Sequence, residues 1–318
     1  MTASANPAMN AEQILDLLAL RWKTLVPRAH RRLLRQLLRA ERTQLIDAIQ
    51  DVLDEEKDRR VRSPRTVLSM FDYTGNWARS FELLGWNVVQ VDIKHGEDIG
   101  KWSARSVLQD ILQAFPTIDG VLAAPPCTAF AVSGARWWAA KDADGRTAAA
   151  VHLVRQALRT IDLLQPDFWA LENPIGRIAT LVPELGVPAL SFDPCDFAGW
   201  TTSPADRVEL AEIRRRGRCS RPEQALVQQT GAYSKRTLLW GRFQSPRRNR
   251  VEPVRCTTQG SWLQSLGGSG GEDTKTERSV TPEGFALAFA AAQAGLPRQE
   301  LVDLADEILR DRLDAFVA

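Results

Sequence analysis

Two short stretches of this 318-residue chain place reactive side chains beside residues that stiffen the backbone. In GVLAAPPCTAFAVSGARWW, which begins at Gly120, Cys127 follows Pro125 and Pro126 at the end of an apolar run, so two rings restrict the loop that carries the thiol. A thiolate there is a strong nucleophile where a positive environment lowers its pKa; a buried, inert thiol is the other reading of such a cysteine. In FWALENPIGR, a second apolar run ends in Glu172, Asn173 and Pro174. A carboxylate at that point is costly to bury unpaired, which suggests a function, although a helix cap or an ion pair would also account for it. A third stretch, TVLSMFDYTGNWARSFELLGWNVVQVDI, reads as strand, turn, helix and a strand ending in Asp92. A tight turn containing Gly75 lets backbone amides approach a ligand, and an acidic residue ending the second strand can accept from ribose hydroxyls. The pattern fits an adenosine cofactor in general, and a structural turn would need no more than this one glycine.

The elements that must hold these residues follow from the spacing of apolar positions. Short apolar runs at 66–70, 88–93, 121–124, 168–171 and 238–240 predict strands, and helices are expected at 76–84, 103–114 and 147–164, the last with Val151, Val154, Leu158 and Ile161 on one face. Alternating strands and helices imply an α/β protein with a doubly wound, mostly parallel sheet covered on both sides, whose ligands sit at the carboxyl ends of the strands. Residues 11–56 show helical periodicity and lead through a charged run ending in Ser63-Pro64 to this core. The expected organisation is a helical region over 1–62, a core over 63–199, a stretch over 200–277 that adds core strand and a short insertion, and closing helices over 278–318. Within the third part, 200–229 and 244–277 are polar, Arg-rich or Gly/Ser/Pro-rich and read as surface insertions or mobile loops.

With 44% hydrophobic and 25% charged residues the chain has the composition of a globular protein, and a formal charge of +2 does not by itself indicate a nucleic-acid partner. Arginines do cluster, at 31–42, 214–218 and 247–250; Arg31, Arg35, Arg39 and Arg42 would share one helix face, available to phosphates or simply to solvent. Cys127, Cys195, Cys219 and Cys256 form no CxxC pair and there are only three histidines, so neither a zinc site nor a disulfide framework is expected. No apolar run reaches the roughly 20 residues of a membrane span and no leader pattern opens the chain, which points to a reducing cytoplasm.

The PPC loop and the ENP turn, following the FDYTG turn in this order, resemble the ordered motifs of the DNA cytosine-C5 methyltransferases. Compact, phage-type members are the most similar, sharing the strings PPCTAFAVSGARWW, ALENPIGR, DPCDF, SKRTLLWG and RSVTPEGF, and the likeness runs over 66–293. Tyr73 and Asn76 stand where the family usually has glycines. The resemblance implies a Rossmann-like fold, S-adenosyl-L-methionine as cofactor, duplex DNA with an extruded cytosine as partner, and a bacterial, phage or restriction-modification setting. It implies that Cys127 adds to C6 of the base and that Glu172 holds or protonates N3, with Pro126, Asn173 and Arg236 completing the catalytic group. By the same resemblance Phe71, Asp72, Tyr73, Thr74, Gly75 and Asn76 of the turn, Asp92 and Ile93, Asp98 and Ile99, and Pro125 would hold the cofactor. Ser133, Gly134, Arg136, Trp137 and Trp138 would form a mobile loop that closes on DNA, with Lys235 a weaker candidate for the basic residue that orients the base. The same chemistry on RNA or a nucleotide, and a silent DNA-binding relative, remain the alternatives. Amino-group methylation is disfavoured because Ala124 and Cys127, rather than Asp or Asn and an aromatic ring, flank the two prolines.

Overall fold

Strands β1 (Thr66–Met70) and β3 (Gly120–Ala123) are buried along their whole length in the computed structural model, as strands with helices on both sheet faces must be. The structure describes residues 64–255 apart from 104, 105 and 107–109, residues 279–317, with side chains as far as 310, and residues 47 and 50. The expected N-terminal helices, the charged run before residue 64 and the Gly/Ser-rich stretch of 256–277 fall outside those residues. Contacts divide the chain into Met1–Pro64 and Arg65–Ala318, and the fold described here is that of the second unit.

With β2 (Asn87–Val91), β4 (Phe168–Pro174), β5 (Leu190–Phe192) and β6 (Thr237–Arg242), the sheet runs in the order β2-β1-β3-β4-β6-β5. The first four are mutually parallel; β6 is antiparallel to β4, and β5 is antiparallel to β6. This is the doubly wound, mostly parallel α/β sheet that the alternation predicted. From β1 the chain winds outward to β2 and then returns to β3 on the other side. The carboxyl ends of β1 and β3 therefore flank a crevice at the point where the winding reverses, the usual ligand position in such a sheet.

The longer α-helices among the described residues are α1 (Asn76–Glu82), α2 (Trp138–Ala143), α3 (Arg146–Leu164), α4 (Pro204–Arg216), α5 (Arg221–Thr230), α6 (Glu283–Ala294) and α7 (Arg298–Val317). On one sheet face α1 and α6 build an aromatic core in which Trp77 meets Phe285 and Phe289, and Phe81 stacks on Phe168 with ring centroids 5.8 Å apart. On the other, Val154, Ala157 and Ile161 of α3 pack against Leu68, Val121 and Leu171. Sequence and structure agree closely on β1 and α3. Of the expected helix at 103–114, Leu112–Ala114 is α-helical, and part of the remainder lies outside the described residues.

The stretch at 200–229, expected as a surface insertion or mobile loop, is helical over most of its length, as a pair of helices rather than a loop. Leu210 and Ile213 of α4 and Val227 of α5 close a small core of their own with Tyr233, Val251 and Val254, each fully buried aliphatic side chain contributing roughly 1.5–3 kcal/mol. Both helices open on a serine that caps and an acid three residues on that caps back, Ser203 with Asp206 and Ser220 with Glu223. Cys219, between them, is disulfide-bonded, which the scattered cysteine spacing did not announce.

Candidate active site

Where β3 ends, Ala124 still donates to Met70 of β1, at 3.1 Å, and Pro125 is buried while Pro126 faces solvent. Cys127 then opens a tight turn in which its carbonyl accepts from both Phe130 N and Ala131 N at 2.9 Å. Ala129 and Phe130 are buried beneath it, and the Cys127 thiol is half-buried and outside any disulfide. The turn is thus anchored by its own backbone and by the apolar residues that follow the cysteine.

The adjacent β4 overruns β3. Ala123 pairs with Leu171, so Glu172, Asn173 and Pro174 project beyond β3 and are held from the other side by Leu239, Leu238 and Thr237 of β6. Asn173 is fully buried and its Nδ2 donates to the carbonyl of Pro125 at 2.9 Å, tying the ENP end to the PPC loop. Its Oδ1 is buried with no hydrogen-bond partner, a state that costs about 1–3 kcal/mol.

Glu172 is half-buried, and loss of water around its carboxyl pushes it above the usual carboxylate range, with the Lys235 cation acting in the opposite sense. Tyr233, buried nearby, has its hydroxyl pushed up by burial and by the Glu172 charge. Of the two candidate cations, then, Lys235 is the one whose field reaches Glu172. Arg236 donates to Ser191 Oγ at 3.3 Å and pairs with Asp193 at 3.1 Å. Strand alternation explains the division. Glu172 lies opposite Leu239 and Pro174 opposite Thr237, so Thr237 and then Lys235 fall on the Glu172 face and Arg236 on the other. The DPCDF segment that positions Asp193 is itself fixed by a reciprocal cap between Asp193 and Asp196, with Arg250 on Asp196 at 3.1 Å.

At the crevice, Phe71 has a left-handed backbone (φ 59), a conformation uncommon outside glycine, held while its N–H donates to Val91 at 2.9 Å. Gly75 (φ 69) completes the turn and starts α1. Phe71, Thr74, Asn76, Asp92 and Asp98 are half-buried around this turn and the two that follow β2. Asp92 Oδ1 accepts from Lys94 N at 2.9 Å, and Asp98 Oδ1 from Gly100 N at 3.0 Å with Lys101 on its other oxygen at 3.1 Å. Asp72 is differently employed: its buried carboxyl accepts from Ser69 Oγ at 2.8 Å and Ala78 N at 3.3 Å, seating α1, and burial pushes its pKa up. Ile99 is likewise core, Ile93 is 68% exposed, and Tyr73 packs outward on His95 and Lys94. Gln90 fastens the turn from β2 by donating to the carbonyls of Asp72 and Tyr73, a role the sequence did not suggest.

The segment after Cys127 is not free of the body of the protein. Ala131 bridges Gly176 and Val132 N donates to Ile175 O at 3.0 Å, extending the sheet's pairing past β4. Ser133, Arg136 and Trp137 are exposed, with Arg136 over the Trp137 ring at 5.3 Å, whereas Trp138 is half-buried beneath the Arg177 guanidinium at 4.6 Å. Gly176 permits the close approach: a Cβ there would sit 2.0 Å from the carbonyl oxygen of Phe130. Gly176→Ala should therefore displace the two strands and lower stability by about 1–3 kcal/mol, several degrees in Tm by calorimetry; an unchanged Tm would mean that the contact yields freely.

No family model and no curated protein matches the sequence. Among solved structures, an E. coli protein described as a DNA modification methyltransferase encoded within a prophage overlaps 64% of this chain and 55% of its own, at 16% identity and a TM-score of 0.35. Entamoeba histolytica methyltransferase EhMeth overlaps 61% and 57%, at 14% identity and a TM-score of 0.27. The chain spans a little over half the length of each.

Proposed function

We propose that this chain methylates C5 of cytosine in DNA through a transient bond between Cys127 and C6 of the base. The observation that carries the reading is the tie between neighbouring strand ends: Asn173 Nδ2 to Pro125 O joins the loop bearing a thiol to the turn bearing a carboxyl with a raised pKa. Few chemistries need a soft nucleophile for one ring carbon together with a proton-holding acid at the edge of the same small ring. Opening an aromatic pyrimidine to alkylation at C5 is one that does.

The residues at the crevice fit an adenosine-bearing sulfonium donor. Asp92 and Asp98 offer carboxylate acceptors for ribose hydroxyls and an adenine amino group, and Phe71 an aromatic face for the purine or the cation. S-adenosyl-L-methionine, when bound, supplies an electrophilic methyl group. Cys127 Sγ gives its electron pair to C6 while the ring's displaced pair is delocalised towards C5 and N3. Glu172 supplies or shares a proton at N3, which its raised pKa suits it to hold, and Lys235 limits how far that pKa rises. Once C5 carries the methyl group, N3 returns its proton to Glu172, the C5 proton is lost to solvent, the C5–C6 double bond re-forms and Cys127 leaves as the thiolate. DNA is the substrate class by resemblance of the motifs, and extrusion of the base is required because C5 and C6 are out of reach of a thiol inside a duplex.

Duplex DNA containing 5-fluorocytosine tests the reading, since fluorine at C5 cannot leave as a proton and the adduct is retained. Incubated with the protein and S-adenosyl-L-methionine, it should give a complex that survives denaturation and maps to the peptide holding Cys127. Absence of any adduct, in every sequence context offered, would sink the proposal. Parallel arms with fluorinated tRNA and the free nucleotide decide the substrate class.

A further inference from the structure

Arg177 is the second residue past Ile175, and its polar contacts converge on one stretch of chain. Its Nε donates to Ala129 O at 3.0 Å, and its backbone N–H to Phe130 O at 3.0 Å. Two further nitrogens grip Asp142 at 2.8 and 2.7 Å, one of them also reaching Thr147 Oγ1 at 3.1 Å, and the plane lies over Trp138 at 4.6 Å. The side chain is 16% exposed. One residue leaving β4 thereby joins the turn that starts at Cys127, the helix α2 and the first turn of α3. Planarity is essential to this arrangement, because a forked bidentate grip, a sideways Nε contact and a stacked ring cannot be met together by a lysine ammonium.

We propose that Arg177 is a positioning residue for Cys127. Ala129 O, held by the guanidinium, and Phe130 O, held by the Arg177 backbone N–H, belong to the turn whose amides close on the Cys127 carbonyl, so Arg177 fixes the thiol's loop against the end of β4, where Glu172 stands. The segment from Val132 to Ala143, which contains the Ser133, Gly134, Arg136, Trp137 and Trp138 that the resemblance implied as a mobile closing loop, is on this view latched to the body at Asp142 and Trp138, while Val132, Ser133, Arg136 and Trp137 project from it. The role in catalysis rests on the methyl-transfer reading above; the latch itself does not.

Four variants test it: Arg177→Gln, Arg177→Lys, Asp142→Asn and the double variant Arg177→Gln/Asp142→Asn. Amide hydrogen exchange over 129–143 and the alkylation rate of Cys127 by iodoacetamide, read on its own peptide, are measured on all four with kcat and both KM values. For Arg177→Gln, exchange should quicken by about tenfold or more and alkylation should change with it. Its kcat should fall by about 10- to 100-fold with KM for the cofactor little altered. Arg177→Lys should fail to rescue, Asp142→Asn should be intermediate, and the double variant should be no worse than Arg177→Gln alone. Unchanged exchange in Arg177→Gln, full rescue by lysine, or additive losses in the double variant overturn the proposal. If Arg177→Gln does not fold, Asp142→Asn decides by the same exchange readout. Wild-type protein that transfers no methyl group would refute the function and leave the exchange and alkylation results to judge the latch.

Discussion

Cys127→Ala should reduce transfer of labelled methyl groups into DNA by about four orders of magnitude or more, the scale on which loss of a covalent nucleophile is felt. The change removes one sulfur from a half-buried position while the surrounding anchors persist: the prolines, the paired amides on the residue 127 carbonyl, and buried Phe130. Folding should therefore be little affected and binding of DNA retained. Cys127→Ser should be as inactive, because a hydroxyl at neutral pH carries almost no nucleophilic anion. Among the described residues, the other cysteine outside a disulfide is a built-in control. Cys195 is 2% exposed and its pKa is pushed up to about 11, first by burial and then by Asp196 and Asp193, so Cys195→Ala should keep activity of the wild-type order. Methyl transfer that survives in Cys127→Ala but disappears in Cys195→Ala would assign the chemistry to the wrong sulfur.

Glu172→Gln should lower kcat by about 10²–10³-fold, since a glutamine can hydrogen-bond N3 but has no proton to share with it. The sign of its pH dependence follows from burial. A carboxyl raised above its unfolded value is favoured in its neutral form, so its contribution to stability is present below the unfolded pKa and is lost as pH rises through the folded one. Wild-type protein should therefore lose some stability as pH rises above the ordinary carboxylate range, and Glu172→Gln, neutral throughout, should lack that slope. Lys235→Met should move the carboxyl's titration higher still, because the opposing cation is gone. Urea unfolding across a pH series, set beside the kcat profile, measures both. An alkaline limb in kcat that stays in place in Glu172→Gln would exclude Glu172 as its source.

The parts of this site nearest the middle of the sheet were legible from sequence because burial on both faces leaves little choice of residue. Strand β1 reads as an apolar run with its ends where the structure puts them, and the proline pair and the ENP turn mark where neighbouring strands give out. Strand β5 was missed: it is three residues long and exists because β6, more than 40 residues later, pairs with it. Helices α4 and α5 were missed for another reason. Their arginines and their few inward residues, Leu210, Ile213 and Val227, hide the helical period, although the caps SPAD and SRPE were there to be read. Arg177 gave only the faint signal of a cation just after a strand-end motif. Its partner Asp142 lies 35 residues back, a separation across which local pattern carries no information. Which of Lys235 and Arg236 lies on the Glu172 face depends on how adjacent side chains turn, and that follows only from the β4–β6 register.

That register makes the cation beside Glu172 a matter of odd and even counting. A single residue inserted between Arg236 and Thr237, with the ladder above it intact, would swing the guanidinium round to where the ammonium now stands and strand Asp193 without its mate. A compact, strongly hydrated point charge and a flat, delocalised one are thus separated by one codon of length and no change of vocabulary.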